Sequence, residues 1–472
     1  MRTALALLAC AVLGCNTSAP VLLPPPFGPT AGPTPYRLYF PTGLAVTRDQ
    51  SLLLVANGDF DHAFDVSTLV AIDTGYLGTL FDQQLDCGRA LYGAPAKTGC
   101  DIDLGQNQQA FLAAAMVGNY AGPLALYEPA TGPATAFLAA RDTNLVHAVS
   151  VRAPGQPLLS CPNHAGVDCR DGVQDVLASA TLEGPYAVTL GDVVAPGSTV
   201  HQDALFVGEL VPHIDMIGDV TLTHANIAVL DAANPTAPPL FTMTASDFTA
   251  TAGAGFGPMV FDKVRREIYA SGCYTRYPNP SQGAPLSAKC AGATANYLRE
   301  LGPDAGANAA LRTVTISDQV HSTDTSDLAL GDLDPATGAH TIYATVRSPD
   351  ALLTLEVPAD PTREVYVRRI TALPIAPAGM LRISRPGVGD LLLIAATRNG
   401  VVDVFDVAQD QVVAQVEKLG DTPFALARLP SPATVARAAV SVFGDCRLGL
   451  VEVPLDKPWN ATLRARVGAC PP

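Results

Sequence analysis

"LLLIAATRNGVVDVFDVAQDQVVAQVEKLG", residues Leu391 to Gly420, decides how the rest of the chain is read. An apolar run ending in small residues, Leu391–Ala396, meets a polar turn. An alternating strand, Val401–Asp406, follows, and then a second turn and a third strand. Period-two alternation bounded by turn formers marks half-buried β-strands. Directly afterwards "DTPFALARLP" (Asp421–Pro430) opens with proline and small apolar residues, as though the unit had started again.

The unit recurs along the chain. Each copy has a Gly/Pro-marked entry strand, a strongly apolar strand ending in small residues, and an alternating strand that often ends in Asp. The copies begin at "PTGLAVT" (Pro41), "YAGPLALYE" (Tyr120), "EGPYAVTL" (Glu183), "GFGPMVFD" (Gly255), "SDLALGD" (Ser326), "PAGMLRIS" (Pro377) and "DTPFALARL" (Asp421). The seven copies average about 62 residues, longer than compact propeller repeats, and loop insertions account for the excess. In the fourth, the third strand is expected at "RTVTISD" (Arg312), after a long excursion.

A three- or four-stranded meander has two apolar faces and cannot bury them alone, so neighbours must cover both. Closing the copies into a ring also hides their edges. Small residues on the entry strands (Gly43, Ala45, Gly122, Ala125, Ala187, Gly379, Ala425) suit a crowded centre. The terminal aspartates (Asp73, Asp231, Asp318, Asp406) can bond nearby backbone N–H groups and start turns. The expected fold is all-β: a seven-bladed β-propeller of four-stranded antiparallel blades with loop insertions, spanning 36–472.

The composition agrees. The 472 residues carry 40 Gly, 40 Pro and only 15% charged residues, which favours short strands and turns over long helices. A formal net charge of −15 repels a phosphate backbone, so nucleic acid is excluded as a partner.

The first residues, "MRTALALLACAVLGC", place one positive charge before an apolar run too short to span a bilayer. Residues 1–14 read as a lipoprotein signal peptide. "VLGC" resembles a bacterial lipobox, which makes Cys15 the lipidated residue, with Cys10 in "LLAC" the weaker competitor. By the same resemblance, Asn16 directs the chain to the outer membrane. Residues 15–35 are Pro-rich and read as an extended tether.

Eight cysteines remain: Cys87, Cys100, Cys161, Cys169, Cys273, Cys290, Cys446 and Cys470. An even count in an exported chain indicates disulfides. They fall into neighbouring couples, and short loops close readily, although spacing alone leaves the connectivity open. No CxxC and no histidine at ligand spacing points to zinc.

The "P-x-G-x-A…L-L-V-A-N…V-A-I-D" rhythm of Pro41–Asp73, with "RDTNLVHAVSV" (Arg141–Val151) and "TRNGVVDVFD" (Thr397–Asp406), resembles the YVTN-type β-propeller repeat proteins, particularly exported bacterial lipoproteins. That resemblance implies architecture more than activity, because propellers host both binders and enzymes.

Catalytic signatures such as GxSxG, HExxH or a Walker loop are absent from the sequence. "NGDFDHAFD" groups Asp59, Asp61, His62 and Asp65 as oxygen-rich ligands for a hard cation such as Ca²⁺, the one cofactor the sequence suggests. Arg141, Arg347, Arg398 and Arg447 recur near the end of the second strand, where a ring would bring them to one end as an anion site. Glu209, His213, Asp215 and His224 could form a metal or acid–base cluster. Tyr274, Arg276 and Tyr277, between Cys273 and Cys290, are residue types common at interfaces. The leading expectation is a non-catalytic, membrane-anchored binding scaffold of the cell envelope, engaging a protein or envelope ligand. The alternative is a hydrolase similar to the propeller lactonases, with a metal held at the channel mouth by Asp59, Asp61, Glu209 and His213.

Overall fold

The structure, a computed structural model, describes residues 23–24, 26–27, 37–61, 64–88, 99–103, 109–141, 144–162, 166–170, 183–194, 198–211, 213–217, 220–234, 237–246, 256–274, 295–301, 312–315, 324–347, 349–360, 363, 365–374 and 376–470. Residues 1–14, Cys15 and most of the tether lie outside them, as do His62, Arg276, Tyr277, Cys290 and the side chains of Cys273 and Tyr274. Among the described residues no helix is long and apolar enough to cross a membrane.

The described strands form seven sheets, and the fold is an all-β propeller built on four-stranded antiparallel blades. The first sheet joins Pro41–Val46, Leu52–Asn57, Ser67–Asp73 and Phe111–Val117; the second joins Ala121–Tyr127, Ala134–Ala140, Leu145–Val151 and Leu159–Ser160. The fourth to seventh sheets open with Phe256–Asp262, Asp324–Leu333, Pro377–Ile383 and Pro423–Leu429, each running outward through four strands. The third departs from that plan. Its strands Glu183–Val194, His201–Val211, Val220–Asp231 and Phe241–Ser246 carry an added hairpin, in which His213–Ile217 pairs with the start of Val220–Asp231. Each entry strand packs beside the entry strands of two neighbouring sheets, and Pro41–Val46 lies beside Pro423–Leu429 of the last.

Burial explains the strand types. Second strands such as Leu52–Asn57 and Leu391–Ala396 are buried at every residue, because a sheet covers each face. Entry strands approach one another so closely that a Cβ on Gly43 would lie 2.8 Å from the Gly122 carbonyl oxygen of the next sheet. The terminal aspartates behave as their position predicts. Asp231 accepts from the N–H groups of Ala233 and Asn234, and Asp406 from those of Ala408 and Gln409. Asp73 instead caps a helix, α1 (Thr74–Asp82), by accepting from Gly75 N–H at 2.8 Å. Asp318 lies outside the described residues.

One strand assignment is corrected. The third strand of the fourth sheet is Ala295–Leu301, inside the expected excursion, and Arg312–Thr315 is the outermost strand. "ANYLREL" puts Asn, Arg and Glu into a strand, so its apolar rhythm is broken and the later, more regular "RTVT" takes its place in a sequence reading.

Two disulfide loops cover exposed sheet edges. Cys161–Cys169 closes a loop whose backbone pairs with the outer strand of the first sheet: Met116 N–H donates to Val167 O (2.7 Å), and Cys169 N–H to Met116 O (3.0 Å). Cys87–Cys100 closes the long insertion of the first sheet, and this insertion reaches the last sheet. There Asp101–Ile102 adds a parallel strand outside Thr462–Val467. Cys87 N–H donates to Leu463 O and Arg466 N–H to Cys100 O, both at 2.7 Å, while Asp101 takes a two-pronged grip from Arg466 (2.7 and 2.8 Å). The first and last sheets are therefore clasped at the rim as well as packed at the centre. Cys446–Cys470 ties the end of the last outer strand back to its own sheet. Opening the clasp with Cys87→Ser and Cys100→Ser together is expected to cost roughly 3 kcal/mol. Urea denaturation of the oxidised proteins checks this, and a loss under about 1 kcal/mol would contradict a structural role for the loop.

The covering loop also fixes an acid-sensitive group. His147 is 1% exposed, accepts from Gly118 N–H through Nε2 (3.0 Å), and donates from Nδ1 to Cys169 O (3.3 Å). Burial holds its pKa down to about 4, although the Cys169 carbonyl pulls the other way. The folded state therefore favours the neutral ring. Its contribution is complete above the unfolded value near 6.5 and is lost as pH falls toward 4. A loss of about 3 kcal/mol across that window is expected, measured by denaturation at the two ends of the window. His147→Gln should flatten that part of the pH profile, and an unchanged slope would refute the assignment.

Candidate functional site

All seven entry strands break register as they enter the ring, between Pro41 and Gly43, Ala121 and Leu124, Pro185 and Ala187, Phe256 and Met259, Thr325 and Asp327, Pro377 and Met380, and Pro423 and Leu426. Such bulges bend a strand and re-aim its side chains. In the four copies whose preceding residue is among the described ones, that residue is non-glycine in the left-handed region: Phe40, Tyr120, Ala376 and Thr422. In three of these copies the residue just past the second strand donates back to it: Gly58 N–H to Phe40 O (2.9 Å), Thr397 N–H to Ala376 O (3.0 Å) and Phe443 N–H to Thr422 O (2.9 Å). Repeated left-handed residues cost of order 1 kcal/mol each and persist where the surroundings fix them. Here they turn the following side chains toward the axis.

The result is an axial cavity of about 550 Å³. Its wall combines entry-strand residues such as Gly43, Leu124, Met259 and Met380 with Phe60, Tyr120, Tyr186 and Phe443. Phe60 meets Tyr120 edge-on at 5.0 Å and Phe443 at 5.1 Å, and Phe40 lies 5.0 Å from Phe443. Gly58 makes room for this ring, since a Cβ there would meet Phe60 at 2.3 Å.

Arg141 stands within the aromatic group. Its guanidinium carbon is 5.8 Å from the centroids of Phe60 and Tyr120 and 5.6 Å from that of Tyr186. Three ring faces thus hold one cation by its π-attraction. Arg347 also lines the cavity, but its Nε donates to Pro377 O at 2.8 Å, joining the fifth sheet to the sixth. Arg398 is exposed in the turn after Leu391–Ala396, and Arg447 pairs with Asp101 at 2.9 Å in the rim clasp; neither lines the cavity. The four arginines expected at one end are therefore divided. The turns that carry them differ, and Arg447 lies beyond its turn, at the start of the third strand.

Among the described residues one acidic group lines the cavity. Asp327 accepts from Met380 N–H (2.6 Å) and Leu328 N–H (2.8 Å), and burial pushes its carboxyl up to about 7 against those two donors.

The described members of the expected cation sites differ in burial. Asp59 is fully buried and accepts from Phe64 N–H at 3.2 Å, whereas Asp61 and Asp65 are exposed. Glu209 is fully buried and accepts from Asn226 N–H. The side chains of His213, Asp215 and His224 lie outside the described residues. Among the described residues no three His, Cys, Asp or Glu side chains are placed to hold one metal ion, and Asp59, Asp61 and Glu209 do not line the cavity.

Sequence reasoning missed the aromatic ring and Asp327. Phe60, Tyr120, Tyr186 and Phe443 come from four sheets, and their common signal is local: each stands beside an entry strand's start or a second strand's end.

No protein-family model and no curated protein matches the sequence. Among solved structures, the chain is similar to the β-propeller domain of Myceliophteria thermophila Cps50 (Swd1), with 10% identity, 87% of this chain and 95% of that one covered, and a TM-score of 0.46. It is also similar to BBS1N in its complex with ARL6DN, a crystal soaked with lead, with 11% identity, 73% and 81% covered, and a TM-score of 0.42.

Proposed function

We propose that the chain is an exported, lipid-anchored, seven-bladed propeller of the bacterial cell envelope that binds a ligand at the mouth of its axial channel without transforming it. Cys15 carries the lipid, the Pro-rich segment 15–35 holds the ring away from an outer membrane, and the repeat rhythm is of the YVTN type. The observation that carries the binding role is the axial cavity, where backbone bulges of all the described sheets surround an aromatic ring from four of them packed on Arg141. A concave, largely apolar wall with a few placed polar groups is the usual form of a small-molecule site.

Two experiments test this reading. Cys15→Ser should move the protein from the membrane to the soluble fraction; unchanged retention with lipid still on Cys10 would relocate the anchor. In ligand-detected NMR, a mixed set of neutral and charged aromatic fragments should bind the purified chain and lose contact in Tyr120→Ala. A folded wild-type protein that binds no member of the set would end the axial-site reading.

A further inference from the structure

We propose that the axial cavity takes an organic monocarboxylate with a flat apolar body, its carboxylate on the N–H edge of Arg141 and its body against the aromatic wall. This rests on the reading of the mouth as a ligand site and specifies its chemistry.

Among the described residues the contacts of Arg141 are the faces of Phe60, Tyr120 and Tyr186, and no described carboxylate or carbonyl accepts from it. Aromatic faces fix a guanidinium through its π-surface and leave the N–H edge unused. That edge is a planar fork matched to a carboxylate. Every other arginine considered for anion binding differs: Arg347 donates to a carbonyl, Arg447 pairs with Asp101, and Arg398 lies outside the cavity. The side chain is thus ordered before any ligand arrives, which lowers the cost of binding.

The rest of the cavity selects among anions. Among the described residues its charged lining groups are Arg141, Arg347 and Asp327, and the rest of the described lining is apolar, aromatic, hydroxyl or backbone. One fork, unengaged among the described residues, balances one negative charge. A phosphate dianion would bring a second charge toward Asp327, whose burial already disfavours ionisation. The volume of about 550 Å³ accommodates a two-ring body.

The test is calorimetric titration of the full exported chain with 2-naphthoate, 2-naphthylmethanol and 2-naphthyl phosphate. The expected result is one 2-naphthoate per chain, bound at least tenfold more tightly than either analogue. Arg141→Met should remove the preference for the acid over the alcohol, while Arg398→Met leaves it intact. Circular dichroism and an unchanged unfolding midpoint establish that Arg141→Met is folded. Should it fail to fold, the wild-type comparison of acid with alcohol still decides. Equal binding of the acid and the alcohol would overturn the carboxylate assignment while the axial site stands. Tighter binding of the phosphate ester, or an acid preference that survives Arg141→Met, would also overturn it. Absence of binding by all three probes and by the neutral fragments would remove both readings.

Discussion

Asp406→Ala is expected to destabilise the protein by about 3–5 kcal/mol, the usual result of leaving one member of a buried ion pair without the other. Asp406 and Arg385 are 3% and 7% exposed at their side chains, and Nη2 of Arg385 donates to Oδ2 of Asp406 at 2.9 Å. The other carboxylate oxygen accepts from Ala408 N–H (3.0 Å) and Gln409 N–H (3.2 Å), so the same side chain closes the turn. Arg385 also donates to Gly389 O at 2.9 Å and to Leu455 O of the last sheet at 3.5 Å. Alanine therefore removes a turn cap and strands a guanidinium between two sheets. Converting Arg385→Met in the same chain should recover part of the loss, because an apolar stem replaces the uncompensated charge. Urea denaturation of both variants provides the check. A cost below about 1 kcal/mol for Asp406→Ala would show that the pair does not hold this seam.

Gly379→Val is the second large effect, expected at about 3 kcal/mol or more from overpacking against rigid backbone. A Cβ at Gly379 would lie 2.3 Å from Phe424 O and 3.2 Å from Ala425 Cα. Both atoms belong to the next entry strand, so no side chain can swing aside and the whole seam must shift. Gly78, inside α1, is different, because a Cβ added there would meet nothing within 4 Å. There Gly78→Ala should stabilise by about 0.5–1 kcal/mol through helix propensity. Opposite signs for the two substitutions are the expected outcome of thermal or urea unfolding. A tolerated Gly379→Val would contradict close approach of the entry strands at the axis.

The parts of the fold that were legible in sequence are those whose neighbours act in the same way in every copy. Leu391–Ala396 and Leu52–Ala56 are apolar throughout because sheets cover both faces, and Gly43 and Gly379 are small because the centre is crowded. The outermost strands were hidden. Tyr366–Ala372, with only two of its seven residues half-buried and the rest exposed, has no apolar face to display. Ala295–Leu301 was missed because polar residues interrupt it, and α1 because its Gly-containing "TGYLGTLFD" is short and its buried Leu77, Leu80 and Phe81 serve the clasp.

The site was legible only at Arg141 and Arg347. Repeat position brought these two to the cavity, but it carried no information about what each guanidinium touches. Arg447 is drawn to Asp101 by an insertion some 346 residues away in sequence, a contact no local pattern encodes. The aromatic ring depends on bulges and left-handed residues that aim side chains from different sheets at one point. Asp59 and Glu209 read as ligands because they are acidic; in the fold both are buried, and each accepts from a backbone N–H group.

Ring closure is the claim on which the site depends, and amide hydrogen exchange at Cys87, Arg466 and Gly468 tests it most directly. Their acceptors are Leu463 O, Cys100 O and Ile102 O, each on the opposite side of the junction between the first and last sheets. Slow exchange is expected at all three amides, comparable with the central strands, and rapid exchange once Cys87 and Cys100 are replaced by serine. Exchange at the free-peptide rate in the intact, oxidised protein would contradict a closed ring.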